Sequence, residues 1–229
     1  MTDTLTLHHV PASRSFRIIW LIEEMRAAGV DLPALQIETY AIADGSLRRA
    51  EFLSRSPAGR VPALDVDGVS LFESGAIIEY LCERHPEAQL APAPRTPERA
   101  AFLQWLHFAE TMANLIANMN MQYLFLRDPA MRSPTVLKME ARRLEACIGA
   151  LEAGLAGQEW LLKGGFSAVD CMLGYNLSAA PYFVKLDAYP NVRAYFARME
   201  AREAYQAARR QDGPSAFYKR DFYAPDDTQ

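Results

Sequence analysis

Apolar residues recur along this chain in two rhythms. Up to about residue 85 the period-two alternation of half-buried strands is mixed with helical spacing, and beyond residue 97 the helical spacing stands alone. Residues 5–8 (Leu5, Thr6, Leu7, His8) alternate and predict a short strand. Ile18, Leu21, Ile22 and Met25 then fall on one helical face, which Gly29 ends. Residues 35–40 alternate again, and residues 47–53 predict a short helix closed by Ser56-Pro57 and Gly59. Residues 63–66 and 69–71 flank Asp67-Gly68, a pair that favours a tight hairpin. Ile77, Ile78, Tyr80 and Leu81 mark a helix running to about Arg84. The predicted order is βαβαββα.

Residues 86–97 carry Pro86, Pro92, Pro94 and Pro97 among alanines and predict a loop at a domain boundary. Phe102, Trp105, Leu106, Ala109, Met112, Ala113 and Ile116 then form a long amphipathic stripe. Pro134 can start the next helix, whose buried face runs through Leu144, Cys147, Ile148, Leu151 and Leu155. Gly164-Gly165 breaks the chain. Ser167 and Asp170 fit a capping box, with Asp in place of the usual Glu or Gln. Pro181 ends or kinks that helix, and Pro190 can start another that contains Val192, Tyr195, Phe196 and Met199. Residues 213–229 hold Pro214, Pro225 and clustered charge and predict an extended tail. The pattern gives an α+β domain at 1–86, a linker at 87–98 and an all-α domain at 99–229.

Composition narrows the function classes. Half of the 229 residues are hydrophobic and the net charge is −4, which suits a packed core and argues against a nucleic-acid binder. Arg142-Arg143 and Arg209-Arg210 are short runs beside acids and read as solvated helix surface. No apolar run reaches the ~20 residues that span a bilayer, and the N-terminus lacks a basic segment followed by a long apolar one. A cytoplasmic protein without membrane partners is expected. Cys82, Cys147 and Cys171 are widely spaced and form no Cys-x-x-Cys or Cys/His pair, so they read as buried hydrophobes rather than metal or disulfide partners.

The chemistry concentrates in residues 59–75. Val61-Pro62 precedes the strand pair and Glu73-Ser74 opens the following helix. One extended backbone edge and one helix N-terminus can together hold a peptide-like anion. Four segments in this order resemble the cytosolic glutathione S-transferase family over nearly the whole chain. They are residues 13–24 (Ser-Arg-Ser-Phe-Arg-Ile-Ile-Trp-Leu-Ile-Glu-Glu), 56–64 (Ser-Pro-Ala-Gly-Arg-Val-Pro-Ala-Leu), 72–81 (Phe-Glu-Ser-Gly-Ala-Ile-Ile-Glu-Tyr-Leu) and 166–170 (Phe-Ser-Ala-Val-Asp). The resemblance is to a bacterial, serine-type, theta-like member. It implies a thioredoxin-like N-terminal domain, a helical C-terminal domain, glutathione as co-substrate, no metal, and a homodimer.

The same resemblance implies roles for particular residues. Pro62 would follow a cis bond, turning the Val61 N–H and C=O toward the cysteinyl backbone of glutathione. Ser74 would cap its helix at the γ-glutamyl carboxylate, with Glu73 accepting the ammonium. Arg60 would lie near the glycyl carboxylate. The place where the family often carries a second basic or amide group falls near Leu47, which cannot serve. A free thiol has a pKa of about 8.5, and lowering it by about two units takes roughly 2.7 kcal/mol of preferential thiolate stabilisation. Ser13, four residues before Arg17, is the first candidate for that hydroxyl and Ser15 the second; either could instead serve as the N-cap of the first helix. The turn holds no tyrosine and no cysteine, which argues against a tyrosine-type or a cysteine-dependent enzyme.

The electrophile site is expected between the domains. Met112, Met119 and Tyr123, with Asn114, Asn120 and Met121 nearby, offer adaptable apolar side chains, although a methionine stripe also suits a core. His107 reads as packed or surface, and His8 and His9 as the end of the first strand. The resulting expectation is a glutathione transferase acting on a small hydrophobic electrophile. The alternatives are a glutathione-dependent isomerase, dehalogenase or ether-cleaving enzyme, and a non-catalytic binding protein of the same fold. Ala12-Ser13-Arg14 stands where the isomerases carry Ser-Ser-Cys, which counts against that alternative.

Overall fold

Strand β1 (Leu5–His9) is the central thread of a four-stranded sheet in the order β2-β1-β3-β4. This computed structural model describes residues 4–126, 128–215 and 217–225. Strand β1 pairs in parallel with β2 (Leu35–Thr39) and antiparallel with β3 (Ala63–Val66), which turns at Asp67-Gly68 into β4 (Val69–Phe72). Both turn residues have positive φ, 53° and 79°, as the twist of a two-residue hairpin demands. Helix α1 (Phe16–Ala27) buries Ile18, Ile19, Leu21, Ile22 and Met25. Helix α3 (Ser74–Arg84) buries Ile77, Ile78 and Leu81, and between them comes the short α2 (Ala50–Leu53). The helix expected over residues 47–53 is split. A 3-10 turn at Ser46–Arg48 precedes α2, and Arg49 between them is extended. Gly59 explains part of this break: with φ 63°, a Cβ there would stand 2.9 Å from the Leu47 carbonyl oxygen.

The chain divides into two units. The first comprises Met1–Pro94 with Ala201–Ala216, and the second Arg95–Glu200 with Phe217–Gln229. In the second unit, α4 (Pro97–Asn120) starts at the Thr96 hydroxyl, which accepts the Arg99 N–H, and runs on as a π-helical turn at Met121–Phe125. Helix α5 (Pro134–Gly154) starts at Ser133, whose hydroxyl accepts the Val136 N–H. Helix α6 (Ala168–Ala179) ends at the 3-10 turn containing Pro181, and α7 (Pro190–Glu200) starts at its proline. The Asp170 carboxylate accepts the Ser167 N–H at 2.6 Å, as expected of a capping box, and the Ser167 hydroxyl at 3.1 Å as well. It also accepts the hydroxyl of the fully buried Tyr195. Asn176 donates to the Ala109 carbonyl at 2.7 Å and ties α6 to α4.

Two expectations for the C-terminal third need correction. A separate helix, α8 (Glu203–Asp212), follows α7, and it folds with the first unit although the sequence boundaries assign it to the helical domain. The cause is an aromatic and ionic seam. Tyr205 meets the edges of Trp20 and Phe16 at 4.9 and 5.6 Å, and the Arg209 guanidinium lies 5.1 Å over the Phe16 ring. Arg202 makes two 2.7 Å bonds to the buried Glu24, which also accepts the Trp20 indole N–H. The tail expected to be extended is partly packed. Tyr218 stacks on Tyr182 at 3.9 Å, and the N–H of the buried Tyr223 reaches the Tyr182 carbonyl. Residues 216 and 226–229 of that tail lie outside the described residues.

Candidate functional site

The site grows from the ends of three strands. Pairing of β1 with β3 finishes at His8 opposite Ala63, and pairing of β3 with β4 at Ala63 opposite Phe72. The next residues in register are therefore His9-Val10, Val61-Pro62 and Glu73-Ser74, which come side by side at one end of the sheet. The Val61-Pro62 bond is cis. Val61 is half-buried and Pro62 buried. Ser56, itself buried, holds the preceding residue: its hydroxyl donates to the Arg60 carbonyl at 2.7 Å and accepts the Arg60 N–H at 3.3 Å. The Arg60 side chain is exposed, as are those of Arg48 and Arg49 beside Leu47.

Ser74 departs from the expected role. It is the first residue of α3, and Glu73 takes the N-cap position without a side-chain cap bond. The Ser74 hydroxyl instead accepts from the fully buried Arg17 guanidinium at 2.8 Å. A buried cation therefore stands at the N-terminus of α3, where unpaired N–H groups already favour an anion. Glu73 is exposed and has φ 70°, a conformation costly for a residue with a side chain and concentrated at functional sites.

The turn after β1 carries the hydroxyls. Ser13 is half-buried and Ser15 fully buried, and their Oγ atoms are 2.7 Å apart. Ser13 Oγ also accepts the Ser15 N–H at 3.3 Å. Ser15 occupies the N-cap position of α1 but its side chain makes no cap bond there. It turns back to His9, with Oγ 2.7 Å from Nδ1. The other ring nitrogen, Nε2, lies 3.0 Å from the Asp212 carbonyl and 3.6 Å from its carboxylate. That carboxylate accepts the Ala12 N–H at 3.0 Å, at a residue with φ 57°, and pairs with Arg209 at 3.0 Å. Burial pushes the His9 imidazole down from 6.5, partly offset by Asp212, and pushes the Asp212 carboxyl up from 3.8. Reading His9 as the end of a strand is right as to place but misses this network, because its second partner lies 203 residues away.

The proposed pocket side chains fare differently. Met112 and Met119 are 0% and 1% exposed and fill the core of the second unit, which their flexible, apolar chains suit. They line no open surface there. Tyr123 is also buried; it donates to the Ala224 carbonyl at 2.6 Å and stacks on Phe183. Met121 and Phe125, in the π-helical turn, are the exposed apolar residues of this segment. Cys82, Cys147 and Cys171 are buried and outside disulfides, and burial pushes the Cys147 thiol up. Among the described residues, no group of three or more His, Cys, Asp or Glu could hold a metal ion, and no helix is long and apolar enough to cross a membrane.

Comparison with known proteins identifies the two domains. Residues 3–83 match the model of the glutathione S-transferase N-terminal domain, and residues 134–198 that of the C-terminal domain. The chain is 25% identical to glutathione S-transferase 3 of Schizosaccharomyces pombe, over 89% of this chain and 86% of the relative. It is 27% identical to the disulfide-bond oxidoreductase YfcG of Escherichia coli, over 87% of this chain and 92% of the relative. Among solved structures, the ternary complex of BphK, a bacterial GST, superposes with a TM-score of 0.77 at 26% identity, covering 91% of this chain and all of the other.

Proposed function

The chain belongs to the glutathione S-transferase family, and on that premise we propose that it activates the thiol of glutathione for attack on a small hydrophobic electrophile. The observation that carries this reading is the convergence, at one end of the sheet, of the half-buried Ser13 hydroxyl, the Val61-Pro62 backbone and the α3 N-terminus with Arg17 behind it. The γ-glutamyl carboxylate sits at Ser74 and the first N–H groups of α3, and Glu73 accepts the ammonium. The cysteinyl backbone pairs with Val61 as an added strand. Arg60 faces the glycyl end. Ser13 donates to the sulfur and holds it as thiolate. In this reading the protein works in the cytoplasm as a homodimer, which light scattering tests.

Calorimetric titration with glutathione comes first, and no heat at millimolar ligand would end this reading. Thiolate absorbance against pH then gives the pKa of the bound thiol, expected about two units below the free value of about 8.5. Ser13→Ala should return it most of the way, and an unchanged pKa would remove Ser13 from the chemistry.

A second reading follows from the likeness to YfcG, whose name makes it a disulfide-bond oxidoreductase. The same thiolate would then attack sulfur rather than carbon. Turnover of a small disulfide by glutathione, with no turnover of carbon electrophiles, would favour it.

A further inference from the structure

We propose that Asp212, His9 and Ser15 form a proton relay that ends at Ser13 and takes the thiol proton of glutathione into the protein. The proposal rests on the reading of Ser13 as the thiolate's partner. Its argument is a count of hydrogens. His9 Nε2 faces the Asp212 carbonyl at 3.0 Å, and a carbonyl only accepts, so Nε2 carries the hydrogen. The neutral imidazole then offers a lone pair at Nδ1, and Ser15 Oγ, 2.7 Å away, donates to it. Ser13 Oγ at 2.7 Å and the Val10 carbonyl at 3.3 Å could also accept this hydrogen, but Nδ1 has none of its own and its 2.7 Å contact needs the one on Ser15, whereas Ser13 brings its own. With the Ser15 hydrogen engaged on His9, the 2.7 Å contact between the serines has Ser13 donating to Ser15. One Ser13 lone pair accepts the Ser15 N–H, and the second is left for an incoming S–H.

In this resting arrangement Ser13 can accept from a thiol but has no hydrogen to give a thiolate. The relay resolves that conflict. The S–H bond breaks and its proton bonds to Ser13 Oγ, the former Ser13 proton moves to Ser15 Oγ, and the former Ser15 proton moves to His9 Nδ1. No electrons change hands, and the products are a thiolate and an imidazolium. Every hydrogen bond in the chain has then reversed: His9 donates to Ser15, Ser15 to Ser13, and Ser13 to the sulfur.

The charged groups facing His9 suit the second state. The Asp212 carboxylate, from α8, is 3.6 Å from Nε2 and 1% exposed, and Arg209 on the same helix holds its other oxygen. Once the thiolate has been consumed, burial, which pushes the imidazole down, sends the proton back through Ser15 and Ser13 to the leaving group or to water at the half-buried Ser13 hydroxyl. His9 and Asp212 act through Ser15 and Ser13 and are positioning residues rather than groups that touch glutathione.

The test counts protons. Glutathione is titrated calorimetrically at pH 7 into the full chain in buffers of different ionisation enthalpy, and thiolate is measured by absorbance in the same samples. S-methylglutathione, which has no thiol proton, corrects for other protonation changes. The wild type should release close to no proton per thiolate formed, and His9→Gln close to one. One proton released per thiolate by the wild type overturns the relay. The wild-type measurement stands without the variant, and nitrogen NMR on histidine-labelled protein adds a second one: Nδ1 of His9 should gain a proton when glutathione binds, and an unprotonated Nδ1 beside bound thiolate overturns the relay too. Ser13→Ala separates the two levels. If it leaves the bound-thiol pKa unchanged, the Ser13 reading and the relay both fall. If it raises that pKa while the wild type still releases one proton per thiolate, the relay alone falls.

Discussion

His8 and His9 are adjacent in the chain, yet β1 sends them to opposite faces of the sheet and into different chemistry. His8 is fully buried, with Nδ1 2.9 Å from the Tyr40 hydroxyl and Nε2 3.2 Å from Asp65. That network runs outward: the Asp65 side chain is 30% exposed, Glu38 is 54% exposed, and Arg55 pairs with Asp65 at 2.8 Å. His9 runs inward, to a carboxylate 1% exposed on one side and to two hydroxyls on the other. The difference shows that two buried histidines side by side in one strand can serve unlike networks. What separates them is whether their partners lead to the turn that carries Ser13 or away to solvent.

The strongest way to break this comparison is to loosen the helix that supplies Asp212. Arg202→Ala strips the bidentate partner from Glu24, whose side chain is 2% exposed. Because Arg202 is itself a third exposed, the loss should sit at the low end for a broken buried pair, about 3 kcal/mol, read from the urea midpoint. An unmoved midpoint would mean that this pair does not hold α8.

Exchanging the histidines one at a time sharpens the contrast. His9→Gln should lower kcat/KM at pH 7 about tenfold, equivalent to about 1.4 kcal/mol, with KM for glutathione little changed. His8→Gln should leave kcat/KM within about twofold and lower stability by about 1 kcal/mol, the worth of a buried hydrogen bond. The opposite pattern would erase the distinction between the two faces.

Glu73 tests the other half of the site. Glu73→Gly should stabilise the fold by about 1 kcal/mol by relieving the positive φ, and should raise the Kd for glutathione. Glu73→Gln should raise the Kd comparably without the gain in stability. Equal glutathione affinity in all three proteins would exclude an ammonium contact.

The smallest effect is in pH. Because the folded-state pKa of His9 is lowered, the stability tied to it is full above about 6.5 and is lost as pH falls. Asp212, raised above 3.8, acts in the opposite sense and favours folding most at low pH. The stability of wild type relative to His9→Gln should therefore shrink between pH 7 and 5, by a fraction of about 1 kcal/mol.

Much of the fold could be read from local pattern because its signals are local. Asp67-Gly68, the Ser167–Asp170 pair and the prolines at the starts of α5 and α7 each act within a few residues. The positions of Val61-Pro62 before β3 and of Glu73-Ser74 at the start of α3 were legible in the same way. The polar wiring was not. The Ser74 hydroxyl answers to Arg17, 57 residues earlier, and His9 to Asp212, 203 residues later, and no periodicity encodes such meetings. Met112 and Met119 mislead for a related reason: a flexible apolar chain suits a core and a permissive pocket equally, and neighbours distant in sequence decide which it fills.

That α8 folds with the first unit also has a consequence for how the molecule is made. A ribosome delivers residues 4–94 well before residues 201–215, with the whole intervening helical segment between them. Until then Trp20 and Phe16 lack the Tyr205 edge and Glu24 lacks Arg202. A chain interrupted before Asp212 carries Ser13, Ser15 and the Val61-Pro62 edge, yet His9 lacks the Asp212 carbonyl at Nε2. The order of synthesis thus leaves the first turn without its anchor until α8 has emerged.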